Sequence, residues 1–195
     1  MITRIISGMI GIALAAYVIQ RGGIAFAVAA AVLAALAWFE FTRAFSRRGG
    51  NPTFFTGILG IGGMLYSAYL GQLDMILLAL LGSVVLALIT SVLLRGDVSV
   101  PDVCVSVTGI CYIGLPFAYL IMLRYLSGGI YVTPIETFDL GTAMVWVMFI
   151  GTWASDTFAY FAGRSFGLHK LAPAISPNKT MEGFLGGLLG TVVAV

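Results

Sequence analysis

Residues 75–94 read MILLALLGSVVLALITSVLL, a run without a single charged side chain. A helix needs about 20 predominantly apolar residues to cross about 30 Å of hydrocarbon, so this run is read as a membrane helix. The reading extends in both directions. Further apolar segments lie at Ile5–Ile19, Ile24–Phe39, Phe54–Leu70, Val103–Leu123 and Leu140–Phe161, and a seventh begins near Phe184. The first two are short for a perpendicular crossing and are expected to tilt, to form a re-entrant pair or to run past these limits. The fold class is therefore all-α: one polytopic transmembrane helical bundle over residues 1–195, with about six complete helices and a partial seventh.

Composition points the same way. Hydrophobic residues make up 60% of the chain and charged residues 9%, and the mean hydropathy is +1.06. A soluble globular domain carries roughly 25% charged residues, so that class is excluded. The opening MITRIISGMIGIALAAYVIQR has the basic-then-apolar order of a signal peptide, but a second membrane segment follows Arg21, which makes it a retained first helix. Cys104 and Cys111 would lie about 10.5 Å apart along one helix axis, beyond disulfide reach, and are read as packing residues. No soluble domain, long linker, internal repeat or low-complexity tract interrupts the pattern. The chain stops at TVVAV, about a dozen residues into the seventh apolar segment, so that helix is expected to be incomplete.

Orientation follows from the cations, because Lys and Arg in short loops stay on the cytoplasmic side. With the N-terminus inside, Arg4, Arg43, Arg47, Arg48, Arg95, Arg164, Lys170 and Lys179 are cytoplasmic, while Arg21 and Arg124 are outside. The external connections carry Asp74, Glu136 and Asp139, and the longest of them, Tyr125 to Asp139, holds Gly128, Gly129 and Pro134. The N-terminus and the 164–182 loop are therefore expected to face the cytoplasm.

Polar chemistry concentrates in one stretch, WASDTFAYFAGRSFGLHKLAPAISPNKTMEGFLGG, residues 153–187. Asp156 stands inside the sixth segment, where an unpaired carboxylate costs at least about 2.5 kcal/mol. Trp153, Asp156, Tyr160, Gly163 and Arg164 recur at helical spacing, so a carboxylate, a phenol and a guanidinium share one face. The structural alternative is that Asp156 pairs with Arg164 or a neighbouring helix and only holds the bundle together. Ionisable groups inside membranes more often mark metal, proton or substrate sites.

The following loop supplies Arg164, His169, Lys170, Ser176, Pro177, Asn178, Lys179, Thr180 and Glu182. Pro177 suits the first position of a new helix with Ser176 as its cap, which would turn free backbone N–H groups toward an anion. Lys179 would neutralise a polyphosphate, and Thr180 or Glu182 would hold a magnesium ion or its water shell. The bland reading makes these cations a headgroup anchor, and it is preferred for Arg43, Arg47 and Arg48. His169 has no second His or Cys nearby, so a surface or phosphate contact fits it better than a metal. Asn178-Lys179-Thr180 matches a glycosylation acceptor but is placed inside. Asn51-Pro52-Thr53 carries the excluded proline, and Lys179-Thr180 lacks the glycine spacing of a P-loop. Gly183/Gly187, Gly186/Gly190 and the cluster Gly57, Gly60, Gly62 and Gly63 are read as helix-packing positions.

The run SDTFAYFAGRSFGLHKLAPAISPNKTMEGFLGG resembles the central segment of the bacterial phosphatidate cytidylyltransferases, the CDP-diacylglycerol synthases. Asp156, Tyr160, Gly163, Phe166-Gly167, Lys170-Leu171, Ser176-Pro177, Lys179-Thr180 and Glu182-Gly183 stand in the family's order. Weaker similarity covers Arg4, Glu40 and the CYIGLPFAYLIMLR stretch. The resemblance implies a membrane enzyme that joins CTP and phosphatidate into CDP-diacylglycerol and pyrophosphate with Mg2+. In that reading the phosphatidate phosphate attacks the α-phosphorus of CTP. Asp156 and Lys179 are the expected catalytic residues, with Asp156 as the metal residue. Arg164, Lys170, Ser176, Asn178, Thr180 and Glu182 are expected to bind substrate. The partners implied are CTP, phosphatidate and membrane lipids, without nucleic acid; a homodimer is among the open assemblies.

The family's histidine-glycine and aspartate segment, of the form S-x-x-K-R…K-D…P-G-H-G-G…D-R, does not occur before Val195. The isolated chain is accordingly expected not to turn over. The alternatives are a catalytically inactive truncated homologue, a membrane scaffold or a small-solute transporter. The transporter lacks the paired halves that such folds show, and the scaffold leaves the phosphate-suited loop without a purpose.

Overall fold

The computed structural model describes residues 2–94, 96–132 and 137–195. Arg95, Pro134 and Glu136 of the sequence reading lie outside them, as does the side chain of Arg4. The helices α1 (Ile2–Arg21), α2 (Gly23–Ser46), α3 (Phe54–Tyr69) and α4 (Leu73–Leu93) are followed by α5 (Val100–Gly109). A π turn at Ile110–Gly114 joins α5 to α6 (Leu115–Arg124), so Val100–Arg124 is one continuous apolar helix. The chain continues with strands β1 (Ile130–Val132) and β2 (Thr137–Asp139), helix α7 (Leu140–Phe166), strands β3 (Lys170–Ala172) and β4 (Ser176–Thr180), and helix α8 (Met181–Ala194). Every apolar segment anticipated from hydropathy is helical, and among the described residues the architecture is all-α apart from two short antiparallel hairpins.

Among the described residues, three helices are long and apolar enough to cross a membrane: Gly23–Ser46, Leu73–Leu93 and Val100–Arg124. The apolar stretches Ile6–Arg21, Phe54–Tyr69 and Met181–Ala194 are shorter. The exposed faces fit lipid rather than water. On α4 only Ile76, Ser83 and Ala87 are buried, while Leu78, Leu81, Val85 and Val92 lie open. A helix that is apolar all round and buries only a narrow stripe belongs in a hydrocarbon solvent. The protein is an integral membrane protein.

The chain divides into two units, residues 1–129 with 140–142, and residues 130–139 with 143–195. In the first, α3 packs against α2, α4, the π turn and α6. Its glycines make that possible. A Cβ on Gly60 would sit 2.5 Å from Ser83 Cβ, and one on Gly57 would overlap the Trp38 indole. Trp38 is fully buried, stacks on Phe41 at 5.8 Å, and donates its Nε1–H to the Phe54 carbonyl at 3.0 Å. Bulk on α2 thus meets absence of bulk on α3, the small-residue device that membrane helices use to approach closely. The π turn precedes Pro116, whose missing N–H releases one helical acceptor and invites a wider turn.

Two polar clusters close the ends of this unit. Asp102 accepts from Asn51 N at 2.7 Å and from Ser99 N at 2.9 Å, while Asn51 Nδ2 donates to the Asp97 carbonyl at 2.9 Å. Ser99 and Asp102 form a capping box that starts α5. At the α1–α2 turn, Arg124 is buried and donates Nε–H to the Ile19 carbonyl at 3.0 Å. A cation there meets the negative end of the α1 dipole. Gly22, at φ +57°, leaves the room its guanidinium needs, and Tyr125 donates its hydroxyl to the Gly23 carbonyl at 2.5 Å. Cys104 is exposed and Cys111 half-buried, and both are free thiols; the packing role expected for Cys104 is not observed, because its helix face is open.

In the second unit β1 and β2 pair antiparallel within the connection Tyr125 to Asp139, Ile130 opposite Asp139 and Val132 opposite Thr137. Helices α7 and α8 meet through small residues. A Cβ on Gly183 would stand 2.9 Å from the Ala159 carbonyl and 3.1 Å from Gly163 Cα, and one on Gly187 would stand 2.9 Å from the Ser155 carbonyl. The GxxxG pairs are packing positions, as their spacing indicated. Thr191 adds a hydroxyl bond to the Gly151 carbonyl at 3.3 Å.

Candidate functional site: a polar cleft between α7 and α8

The close approach of α7 and α8 ends where the chain leaves α7, and a cleft of about 730 Å³ opens there. One wall is on α7: Asp156, Tyr160, Gly163 and Arg164 of the face anticipated from helical spacing, joined by Ser155 and Ala159, while Trp153 of that face does not line the cleft. The second wall is the hairpin, which contributes Leu171, Ser176, Asn178, Lys179 and Thr180. The start of α8 closes the cleft with Gly183, Phe184 and Gly187. Two cations, Arg164 and Lys179, and one carboxylate, Asp156, therefore face a common space, together with the hydroxyls of Ser155, Ser176 and Thr180 and the Asn178 amide.

The helix expected to begin at Pro177 with Ser176 as its cap begins instead at Met181. Residues Ser176–Thr180 form β4, paired with β3 through Lys170↔Thr180 and Ala172↔Ser176 with a bulge between. The reason is local. Pro177 suits extended backbone as well as a first helical turn, and β3 lies within reach across the short Pro173–Ile175 connection, closed by Ile175 N donating to the Ala172 carbonyl at 3.1 Å. The cap falls to Thr180, which is extended (φ −123°, ψ 155°) and whose Oγ1 accepts from Gly183 N at 3.1 Å. Thr180 is buried because glycines surround it: Cβ atoms on Gly163, Gly167 and Gly183 would each lie within 3.0 Å of its hydroxyl oxygen. A threonine directly ahead of an apolar run is an N-cap signal in its own right, so the sequence offers Thr180 as a helix start beside Ser176.

Asp156 is exposed within the cleft. Arg164 does not pair with it: its Nη1 donates to the Tyr160 hydroxyl at 2.8 Å, and the guanidinium lies 6.0 Å from that ring's centre. The bundle-holding alternative for Asp156 therefore loses its nearest partner. Lys179 is exposed and makes no ion pair or hydrogen bond among the described residues. An unengaged ammonium and an unengaged carboxylate in one cleft are chemically available to a ligand. A group of three or more His, Cys, Asp or Glu able to cage a metal is absent among the described residues. Magnesium does not need one, since it is commonly held by one or two carboxylates plus substrate phosphates.

Lys170 and Glu182, expected to bind substrate, do not line the cleft. Lys170 stands on β3, opposite Thr180. Glu182 accepts from His169 Nδ1 at 2.7 Å, from His169 N at 3.3 Å and from Leu168 N at 3.2 Å. Because a carboxylate only accepts, His169 Nδ1 carries the proton of that bond. The His169 hydrogen bond, with the backbone N–H donors, holds the Glu182 carboxyl down at about 2. This pairing was invisible in the sequence. The two residues are thirteen apart in the chain, and only the hairpin between them brings them together.

The sequence model of the cytidylyltransferase family matches residues 2–195. The chain is 35% identical over 120 residues to the phosphatidate cytidylyltransferase of Staphylococcus saprophyticus, covering 62% of this chain and 41% of that one. It is 34% identical over 111 residues to the phosphatidate cytidylyltransferase of Bacillus subtilis, covering 57% of this chain and 37% of the relative. For the protein of that description from Staphylococcus epidermidis the figures are 35% over 103 residues, 53% and 34%. The chain thus spans about two-fifths or less of the length of the curated relatives it matches. No solved structure matches it. With the family match running from the first helix through the α7–α8 cleft, the chain belongs to the cytidylyltransferase family.

Proposed function

We propose that the cleft is the nucleotide site of a phosphatidate cytidylyltransferase, which converts CTP and phosphatidate into CDP-diacylglycerol and pyrophosphate in phospholipid biosynthesis. The observation that carries this reading is the convergence of unengaged Lys179 and Asp156 with Arg164 on one cleft beside the N-terminus of α8. The positive end of the α8 dipole favours phosphate there. The names of the matched relatives supply the substrate pair.

Charge neutralisation dominates nucleotidyl transfer, since an anionic phosphate must approach an anionic triphosphate. Lys179 offsets charge on the triphosphate. Arg164, with its guanidinium braced by Tyr160, offers a second positive group from α7. Asp156 is the residue that would hold Mg2+ jointly with substrate phosphates, and a bound Mg2+ would supply further neutralisation of the pyrophosphate as it leaves. Ser176, Asn178 and the backbone of β4 are placed to orient the nucleotide. The lipid's acyl chains remain in the bilayer, so only the headgroup enters the cleft. With the cleft on the cytoplasmic side of a bacterial inner membrane, CTP arrives from the cytosol.

The test is complementation. A strain whose own phosphatidate cytidylyltransferase can be shut off should grow when the full-length gene carrying these residues is expressed, and its membranes should convert radiolabelled CTP and phosphatidate into labelled CDP-diacylglycerol. Normal expression without growth and without labelled lipid would overturn the assignment.

A further inference from the structure

Glu182 is the one acidic residue of the 153–187 stretch that turns away from the cleft, and its four contacts all go to two adjacent residues, Leu168 and His169. Those residues form the turn between α7 and β3. The tie does not stand alone. Met181 N donates to the His169 carbonyl at 2.9 Å, so the same turn is held by the α8 backbone in one direction and by the Glu182 carboxylate in the other. Lys170 next pairs with Thr180, and a Cβ on Gly167 would collide with the Gly163 carbonyl and stand 2.9 Å from the Thr180 hydroxyl. The turn, the hairpin and the first turn of α8 are consequently one locked assembly. Its other edge is β4, which carries Asn178 and Lys179 into the cleft.

We propose that Glu182 is a positioning residue: by gripping the Leu168–His169 turn it fixes β3 against α8, and through β3 it sets the place of Lys179 and Asn178 in the cleft. Its carboxylate contacts neither metal nor nucleotide. The backbone N–H groups and the His169 ring already occupy both oxygens, which leaves Asp156 as the acidic group open to the cleft. This inference rests on the cytidylyltransferase reading for its kinetic arm and on geometry alone for its structural arm.

A strand held in place by Glu182 binds the nucleotide equally in ground and transition states, and loss of such uniform binding raises KM with little change in kcat. Glu182→Ala should therefore raise KM for CTP about tenfold and leave kcat within about threefold. Glu182→Gln keeps an oxygen acceptor and should recover most of the loss. His169→Ala removes one donor and leaves the two backbone N–H groups, so its effect should be smaller. The double variant should be no worse than Glu182→Ala alone, because both substitutions break one assembly.

Amide exchange of a peptide covering residues 167–170, measured in the detergent-solubilised protein without substrate, should be slow in the wild type. It should be at least tenfold faster in Glu182→Ala and intermediate in Glu182→Gln. A hundredfold fall in kcat at unchanged KM, a changed Mg2+ requirement, or exchange unaffected by either substitution would overturn the proposal. Should the full-length wild-type protein make no CTP-dependent lipid, the functional reading fails, and amide exchange still decides the positioning role. If Glu182→Ala does not accumulate, Glu182→Gln and His169→Ala carry both arms.

Discussion

Replacing Lys179 by alanine separates a ligand-binding lysine from a structural one more sharply than any other change in the cleft. The side chain is exposed and makes no hydrogen bond or ion pair among the described residues, and β4 pairs with β3 at Ser176 and Thr180, not at Lys179. Truncation removes nothing that holds the fold, so stability should change by no more than about 0.5 kcal/mol. The loss falls on the bound polyphosphate, where a hydrogen bond to a charged group contributes about 1.5–3 kcal/mol. At about 1.36 kcal/mol per tenfold change, kcat/KM for CTP should fall by roughly one to two orders of magnitude. Lys179→Arg should restore part of it, because a planar guanidinium does not reproduce a compact ammonium. The assay is transfer of label from radiolabelled CTP into CDP-diacylglycerol by membranes containing matched amounts of each full-length variant. Alanine turnover within twofold of wild type would reduce Lys179 to a headgroup anchor. An alanine variant that unfolds several degrees earlier would show that the lysine serves the fold after all.

Four other expectations follow from particular contacts. The Glu182 carboxyl, held at about 2 against an ordinary value of 4.5, stabilises the Leu168–His169 turn fully above about pH 4.5. That contribution fades as pH falls toward 2, so carbon-13 detected titration should place its midpoint near 2, and a midpoint between 4 and 5 would show the contacts are not made. Gly57→Val drives a side chain into the Trp38 indole and should destabilise the first unit by about 1–3 kcal/mol, read as a lower thermal midpoint in detergent. Arg124→Leu removes the buried donor to the Ile19 carbonyl and should cost about 1.5–3 kcal/mol in the same assay. With Cys104 and Cys111 replaced, a cysteine at Ala174 should be shielded from impermeant thiol reagents in intact cells while one at Ser127 reacts. The reverse pattern would place the cleft on the wrong side for cytosolic CTP.

Hydropathy made the helices legible because, in lipid, the segment must satisfy its own backbone and present apolar side chains in every direction. The run at residues 75–94 therefore reappears as α4 within two residues of either limit. Helical spacing likewise placed Asp156, Tyr160 and Arg164 on one wall of the cleft, since the 3.6-residue period converts sequence separation directly into a face. The 168–182 segment was not legible in the same way. Ser176-Pro177 satisfies the rules for a helix start, but so does Thr180, and the choice between them is made by pairing with β3, a contact that no local rule encodes. Lys170 and Glu182 are grouped with the substrate-binding residues by the loop's composition and by the family resemblance, neither of which fixes a strand register. The hairpin register turns one to the strand opposite Thr180 and ties the other to His169.

The central claim, that the α7–α8 cleft receives CTP, is tested most directly by photolabelling membranes containing the protein with radiolabelled 5-azido-CTP and mapping the modified peptides. Label should fall in residues 155–187, should be displaced by excess CTP, and should drop at least tenfold in Lys179→Ala. Label confined to other helices, or undiminished by CTP, would contradict the account.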